Sequence, residues 1–166
     1  MRRDIIDNVD IKISRGVHME IEEVIGKCFF VKVYTKNKKI EISNSKVFGN
    51  DAPNIFIKSL KKLESKSIKR EYLRWEGESE AYIWILDKNK DILDLEIWLG
   101  SSNLITIYEG EEVLKEKERL IFSERTSYKR FVQNVKEAFH TYFDFKEEKN
   151  HEYEIDFRLL DSLKGY

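Results

Sequence analysis

Two carboxylates, Asp94 and Glu96, are the residues of this sequence best placed to do chemistry together. They stand two positions apart in an alternating segment that predicts a β-strand, so both side chains are expected on one face of a sheet. Beside an apolar surface, burial would raise the pKa of one carboxyl group, and the pair would act as general acid and general base. A row of solvated acids explains the same spacing without catalysis, and we favour that interpretation.

The other reactive residue types are scattered along the chain. The three histidines, His18, His140 and His151, do not stand at a recognised zinc-ligand spacing. The single cysteine, Cys28, lies in the apolar run CFFV, which predicts a buried thiol and rules out an intrachain disulfide. The sequence contains no glycine-rich phosphate loop and no G-x-S-x-G elbow. These patterns favour a protein that is not an enzyme and uses no metal or cofactor.

Charge is unevenly distributed along the 166 residues. Residues 1–75 hold 17 Lys and Arg against 10 Asp and Glu, residues 76–112 hold 2 against 10, and residues 113–166 hold 11 of each. The three segments therefore carry net charges of +7, −8 and zero, although the whole chain carries only −1. A local field of this kind steers a charged partner. Solvated strand edges and loops are the plainer explanation of the acidic segment.

The three tryptophans, Trp75, Trp84 and Trp98, all lie within residues 71–110. Alternating apolar runs separated by turn residues, one turn being at 88–90, predict a four-strand antiparallel meander there. In its second and third strands we expect the aliphatic residues on a buried face and the aromatic residues and acids on the other. The expected buried face holds Ala81, Ile83, Ile85, Leu93, Leu95, Ile97 and Leu99, and the other face holds Tyr82, Trp84, Leu86, Ile92, Asp94, Glu96 and Trp98.

Hydrophobic periodicity predicts the remaining elements and the fold class. Alternation indicates strands near residues 17–25, 28–35, 39–43 and 119–122, with a further strand segment near 10–14. Residues 153–158 also alternate, which predicts a last strand or a segment that packs on the sheet edge. Helical spacing indicates a helix that follows an N-cap at Asp51 and a longer helix over residues 127–143. We therefore predict an α+β fold, a mainly antiparallel sheet of six to eight strands with two helices packed on one face, in a single domain over residues 1–166.

Composition excludes several broad classes of protein. Hydrophobic residues make up 41% of the chain and charged residues 37%, which is typical of a globular protein. No apolar run approaches the roughly 20 residues of a membrane-spanning helix. The opening MRRDIIDNVD lacks the apolar region of a secretory signal, and one cysteine fits a reducing compartment. We expect a cytoplasmic protein with no membrane partner.

The expected aromatic face is set among acids, and this distinguishes between classes of partner. Single-stranded nucleic acid binds aromatic side chains set among basic residues, and acids would repel its phosphates. Nucleic acid is therefore disfavoured there, with the lysine-rich residues 58–69 as a weaker candidate site. Aromatic anchors among carboxylates suit a basic protein partner. The predicted partner-binding residues are Tyr82, Trp84, Asp94, Glu96 and Trp98.

One family has a similar layout. A helix carries Phe56, Leu60 and Leu63, a WEG step begins at Trp75, two strands follow, and an amphipathic helix over residues 128–143 ends the unit. This half of the chain resembles small bacterial immunity-type proteins that accompany polymorphic or contact-dependent toxins. The resemblance implies a cytosolic, non-enzymatic protein that binds one cognate toxin and blocks its active site. A basic, nuclease-like toxin would match an acidic surface.

Two alternatives remain open at the level of sequence. Trp84 and Trp98 would form a second layer of core, with no role in binding, if the N-terminal strands covered them. A long helix across a curved sheet would also enclose an apolar cavity for a small molecule, lined by some of the 10 Phe and 8 Tyr.

Overall fold

The structure is a computed structural model that describes residues 16–101, 107–144 and 150–166. Within these ranges, seven strands form two antiparallel sheets accompanied by helices, which confirms the predicted α+β class. The strands are β1 (His18–Ile25), β2 (Cys28–Tyr34), β3 (Lys39–Ser45), β4 (Arg70–Glu76), β5 (Glu80–Asn89), β6 (Ile92–Ser101) and β7 (Lys117–Ser127). The α-helices are α1 (Ala52–Leu63), α2 (Tyr128–Phe143) and α3 (Phe157–Asp161), and short 3-10 helices span Lys46–Phe48 and Glu111–Glu116. The strand predicted near residues 10–14 lies outside the described ranges.

A β-bulge in β1 decides which side chains of the first sheet, β1-β2-β3, face the core. The register of β1 against β2 shifts between Ile21 and Glu23. The extra residue of a bulge reverses the alternation of the side chains that follow it. Met19 and Ile21 before the bulge and Val24 after it are therefore all buried, whereas Glu23 is exposed.

The second sheet, β4-β5-β6-β7, is a four-strand meander whose last strand was predicted as a separate one near residues 119–122. The chain does not enter this strand directly from β6. It first passes the free edge of β4, where Arg74 N donates to Tyr108 O (2.8 Å) and Gly110 N donates to Tyr72 O (3.0 Å). The fourth strand expected within residues 71–110 falls partly outside the described ranges, and its described part, residues 107–110, makes only this short edge contact.

The pairing of β5 with β6 overturns the predicted division into faces. Trp84 pairs with Ile97, and Ile83 pairs with Trp98. Directly paired residues of antiparallel strands point to the same face. Trp84 therefore shares the buried inner face with the aliphatic residues of β6, and Ile83 shares the outer face with Trp98. The expectation that Trp84 and Trp98 lie together on an acidic face is wrong.

Residues 107–116 cover part of this outer face and bury an ion pair. Arg74 is 0% exposed and its Nη1 atom lies 2.6 Å from Oε2 of Glu76, which is 2% exposed. Arg74 Nη2 also donates to the carbonyl of Ser101 (2.9 Å). The last residue of this segment approaches β6 so closely that a Cβ at Gly100 would lie 2.5 Å from Glu116 O. Glycine at position 100 thus permits the contact that closes over this side of the sheet.

The helices begin with different kinds of capping. Ser127 Oγ accepts a hydrogen bond from Arg130 N and caps α2 (3.3 Å). Asp51 precedes α1 as predicted, but its side chain makes no cap hydrogen bond, because Oδ2 accepts from Asn54 Nδ2 instead (2.8 Å). The last predicted strand, near residues 153–158, is wrong, because residues 152–156 form no strand and α3 begins after the cap residue Asp156.

Aromatic side chains fill the space between the helices and the two sheets. Phe56 of α1 lies 5.0 Å from Trp84 and 6.2 Å from Phe131 of α2, measured between ring centroids. Trp75 lies 5.6 Å from Trp84 and 6.0 Å from Phe29 of the first sheet. All five residues are 0% exposed and belong to one hydrophobic core. A space filled in this way argues against the alternative of an apolar ligand cavity between helix and sheet.

A buried polar network joins the C-terminal segment to both sheets. Asn44 of β3 accepts from Glu76 N of β4 (3.0 Å) and donates to the carbonyl of Asn50 (2.9 Å). Its amide also donates to Tyr153 Oη (3.1 Å), and that hydroxyl donates to Lys27 O (2.7 Å). Because buried polar groups are costly when unpaired, this network fixes the relative position of the three segments.

His140 links α2 to α3 and gives the fold a pH dependence. Its Nε2 lies 2.6 Å from Asp161 Oδ1 and its Nδ1 lies 3.0 Å from Asp144 Oδ2. The hydrogen bond to Asp161, followed by that to Asp144, raises the pKa of His140 above its usual value of 6.5. A pKa raised on folding stabilises the protein fully below the unfolded-state pKa, and this stabilisation is lost as the pH rises through the folded-state pKa.

We therefore expect His140→Gln to lower the free energy of unfolding more at pH 5.5 than at pH 9. The difference should be on the order of 0.2–1 kcal/mol, because the pair is partly exposed to solvent. Urea unfolding of both proteins at the two pH values measures it. An equal loss at both pH values would contradict an ionic role for His140.

Candidate functional site

Three of the five predicted partner-binding residues lie together on the outer face of the second sheet. Glu96 accepts a hydrogen bond from Trp98 Nε1 (2.8 Å), and Lys117 Nζ lies 4.4 Å from the Trp98 ring. Asp94 accepts from Nε and Nη2 of Arg125, at 2.7 and 3.1 Å. These residues of β6 and β7 lie at or beside a groove of about 570 Å³, which we call the outer groove.

Two of the four acids that line the outer groove are paired with arginines, which weakens its candidacy as an acidic surface. Besides the Asp94–Arg125 pair, Arg70 Nε lies 2.8 Å from Asp87 Oδ2. The hydrogen bond from Arg125 lowers the pKa of Asp94. A carboxyl group with a lowered pKa holds no proton to donate at neutral pH, so Asp94 is not suited to be the general acid of the proposed pair.

The other two predicted residues are separated from this group. Trp84 is 0% exposed in the core and offers no surface to a partner. Tyr82 pairs with Leu99 on the inner side of the second sheet, so it points away from Trp98. It lies where the second sheet meets the first, at the rim of the core.

Tyr82 belongs to a second cleft, of about 450 Å³, which we call the junction cleft. Strands β1, β2, β3 and β5 contribute its lining, which is Glu22, Glu23, Phe30, Val31, Glu41, Ile42, Ser43 and Tyr82. The three glutamates are exposed, and no Lys, Arg or His is among these lining residues. The cleft therefore combines an apolar floor with three carboxylates, and Lys32, which lies opposite Glu41 across β2 and β3 and forms an ion pair with Glu20 (3.1 Å), is a cation beside them.

The aromatic residues of the junction cleft are held differently. The Phe30 side chain is 37% exposed, since it lies on the face of β2 opposite the buried Phe29. Tyr82 is half-buried and its hydroxyl donates to Glu80 Oε2 (3.4 Å). Burial, with a smaller contribution from Glu80, raises the pKa of Tyr82. Its hydroxyl therefore stays protonated at neutral pH and can donate a hydrogen bond.

Reasoning from sequence found Tyr82 but missed its neighbours Glu22, Glu23, Phe30 and Glu41. One signal was available, because Phe30 is an aromatic residue on the otherwise polar side of an alternating strand. The glutamates carried no such signal, since they lie in the segment with a net positive charge.

Within the described ranges, no group of three or more His, Cys, Asp or Glu residues could hold a metal ion. None of the helices in this part of the chain is long and apolar enough to cross a membrane. Comparisons with protein-family models, curated proteins and solved structures found no match for this chain.

Proposed function

We propose that this chain is a non-catalytic protein-binding domain whose junction cleft receives a basic protein. The observation that carries the proposal is the cleft itself, in which exposed Phe30 and half-buried Tyr82 lie among Glu22, Glu23 and Glu41 with no lining cation. The proposed binding surface is acidic and aromatic, as predicted from the sequence, but it lies at the junction of the two sheets and not on the outer face of the second sheet.

In the proposed interface the aromatic residues supply binding energy and the acidic residues attract the partner. Aromatic side chains that become fully buried at an interface supply most of its binding energy, and Phe30 and Tyr82 are placed to do so. The three carboxylates around them outnumber the neighbouring Lys32, so they steer a positively charged partner and speed its association. In the outer groove Arg125 and Arg70 already occupy Asp94 and Asp87, so a partner would first have to displace them.

The specific partner that we propose is a basic, nuclease-like toxin. The support is the resemblance of residues 56–143 to immunity-type proteins, together with the charge of the junction cleft. A protein bound through such a cleft would neutralise a toxin by covering its basic substrate-binding surface, without any chemistry of its own.

The test compares two triple variants matched in type. The first, Phe30→Ala/Glu22→Gln/Glu41→Gln, alters the junction cleft, and the second, Trp98→Ala/Asp94→Asn/Glu96→Gln, alters the outer groove. Each removes one aromatic ring and two carboxylates. Immobilised wild type and both variants are used to capture proteins from the cell that makes the chain. We expect a basic protein that the wild type and the outer-groove variant retain and that the junction-cleft variant loses at least tenfold, which is about 1.4 kcal/mol.

Equal capture by all three proteins, or a loss confined to the outer-groove variant, would contradict the assignment to the junction cleft. Urea unfolding of the variants confirms that each is folded. The toxin proposal has its own readout: expression of the captured partner should arrest growth, and co-expression of the wild-type chain, but not of the junction-cleft variant, should restore it.

A further inference from the structure

Five lysines from three distant segments line one cleft of about 680 Å³, which we call the lysine cleft. Helix α1 and the turn after it supply Lys61 and Lys66, the β5–β6 hairpin supplies Lys88 and Lys90, and the C-terminal segment supplies Lys164. The remaining lining residues are Glu64, Ser65, Asp91 and Tyr166. The lining therefore carries five positive and two negative charges, a net of +3.

The two carboxylates of the lysine cleft are already engaged by other groups. Glu64 accepts from the backbone N–H groups of Lys164 and Gly165, each at 2.9 Å. Asp91 accepts from Ser127 Oγ (2.8 Å) and from Lys129 N (3.0 Å) at the start of α2. Both side chains thus hold segments of the fold together.

Helix α1 explains two of the lysines without any ligand. The helix ends in this cleft, and cations are favourable beside the carbonyl groups at a helix C-terminus. Lys88 Nζ donates to Leu63 O (3.2 Å) and lies 4.7 Å from the Tyr128 ring. Lys61 Nζ donates to Ser162 O (3.0 Å) and lies 3.7 Å from Glu64. In the described part of the chain, Lys66 and Lys90 have no carboxylate partner of this kind.

The C-terminus of α1 does not account for the position of Lys90. This lysine has φ +57°, and among the described residues it is the one non-glycine position with positive φ. Such a backbone costs an L-residue roughly 1–2 kcal/mol, and glycine or asparagine would relieve most of that cost. The hairpin thus has a strained backbone at a position that adds a positive charge to the lining of the cleft.

We infer that the lysine cleft binds a small molecule that carries two or more phosphate groups. Each phosphate group brings a charge of about −1.5 to −2 and three acceptor oxygens, so two groups balance the net +3 of the lining. Lysine suits this ligand because its ammonium group is a mobile point charge with three donors. The volume of the cleft lies in the range of small-molecule sites, about 300–1,000 Å³.

Titration calorimetry of the full chain with inorganic pyrophosphate at low ionic strength tests this inference. We expect one molecule to bind, more tightly than inorganic phosphate. Lys90→Gly should weaken binding about fivefold, which corresponds to one charge pair near 4 Å in water. The unfolding midpoint of Lys90→Gly should not fall, because glycine accepts the backbone conformation of this position. Lys66→Gln should weaken binding by a similar factor.

Lys36→Gln is the matched control, because Lys36 is an exposed lysine of the β2–β3 hairpin and its loss changes the net charge equally. Its affinity for pyrophosphate should stay within twofold of wild type. No binding of pyrophosphate, or an equal loss in Lys36→Gln and Lys90→Gly, would overturn the inference.

Two further ligands identify the source of the phosphates. ADP that binds more tightly than pyrophosphate points to a nucleotide, with the exposed Tyr166 ring beside the cleft as a stacking surface, and equal affinities point to a free diphosphate. Either result supports the inference. A short oligothymidylate that binds more tightly than both, with the same dependence on Lys90, would overturn it in favour of single-stranded nucleic acid.

Discussion

Replacement of Trp84 by alanine is expected to lower the free energy of unfolding by about 3–5 kcal/mol. The indole is 0% exposed and contacts the rings of Phe56 and Trp75, with centroid distances of 5.0 and 5.6 Å. Its removal leaves a cavity in the aromatic core that rigid neighbours on α1 and β4 cannot fill. A domain of ordinary stability has only about 5–15 kcal/mol in total, so the variant should unfold at a much lower urea concentration.

Trp98→Ala is the matched substitution and separates the core position from the surface position. Trp98 is half-buried on the outer face, and we expect its loss to cost about 1 kcal/mol. Urea unfolding followed by far-ultraviolet circular dichroism measures both variants. Equal losses for the two tryptophans would contradict the pairing of Trp84 with Ile97 and would return Trp84 to the candidate surface.

The second large effect is expected at the buried ion pair between Arg74 and Glu76, which residues 107–116 cover. Arg74→Met should lower the free energy of unfolding by about 3–5 kcal/mol, because it leaves the Glu76 carboxylate buried without its cation. The guanidinium is 0% exposed and lies 2.6 Å from that carboxylate. Water therefore cannot replace the guanidinium unless residues 107–116 move away from the sheet.

The double variant Arg74→Met/Glu76→Met provides the control for this prediction. A buried ion pair replaced on both sides by apolar residues often costs little, so the double variant should be more stable than Arg74→Met alone. Urea unfolding of the wild type, the two single variants and the double variant gives the coupling energy. Losses that simply add would show that Arg74 acts through its packing or its bond to Ser101, and not through Glu76.

The sequence was sufficient to predict the strands and helices, but not the faces of the second sheet. Alternation and helical spacing locate β1, β2, β3, α1 and α2 to within a few residues, because each pattern is local. The faces depend on register, which the turn between β5 and β6 sets. A turn over residues 88–90 would place Ile83 opposite Leu95, on the face that they were predicted to share, whereas the observed turn at Lys90 and Asp91 places Trp84 opposite Ile97.

Charge along the sequence was a poor guide to charge in space for a related reason. Asp87, Asp94 and Glu76 of the acidic segment meet arginines from before or after it, namely Arg70, Arg125 and Arg74. The three glutamates of the junction cleft come instead from the first 75 residues, whose net charge is +7. Pairing between strands brings distant segments together, and no count along the chain records it. The sequence therefore predicted an acidic and aromatic site, which is the character of the junction cleft. Tyr82 is the one predicted partner-binding residue among the residues that line this cleft.

The hydrogen bonds of Tyr153 have a consequence for how the protein is made. Asn44 is synthesised 109 residues before the tyrosine whose hydroxyl it contacts. At about 5–20 residues per second, the ribosome takes on the order of ten seconds to cover that distance. Strands β1, β2 and β3 can pair during this interval, while the amide of Asn44 and the carbonyl of Lys27 are still hydrated. These two groups of the nascent chain therefore stay bonded to water until the segment around Tyr153 emerges and replaces it.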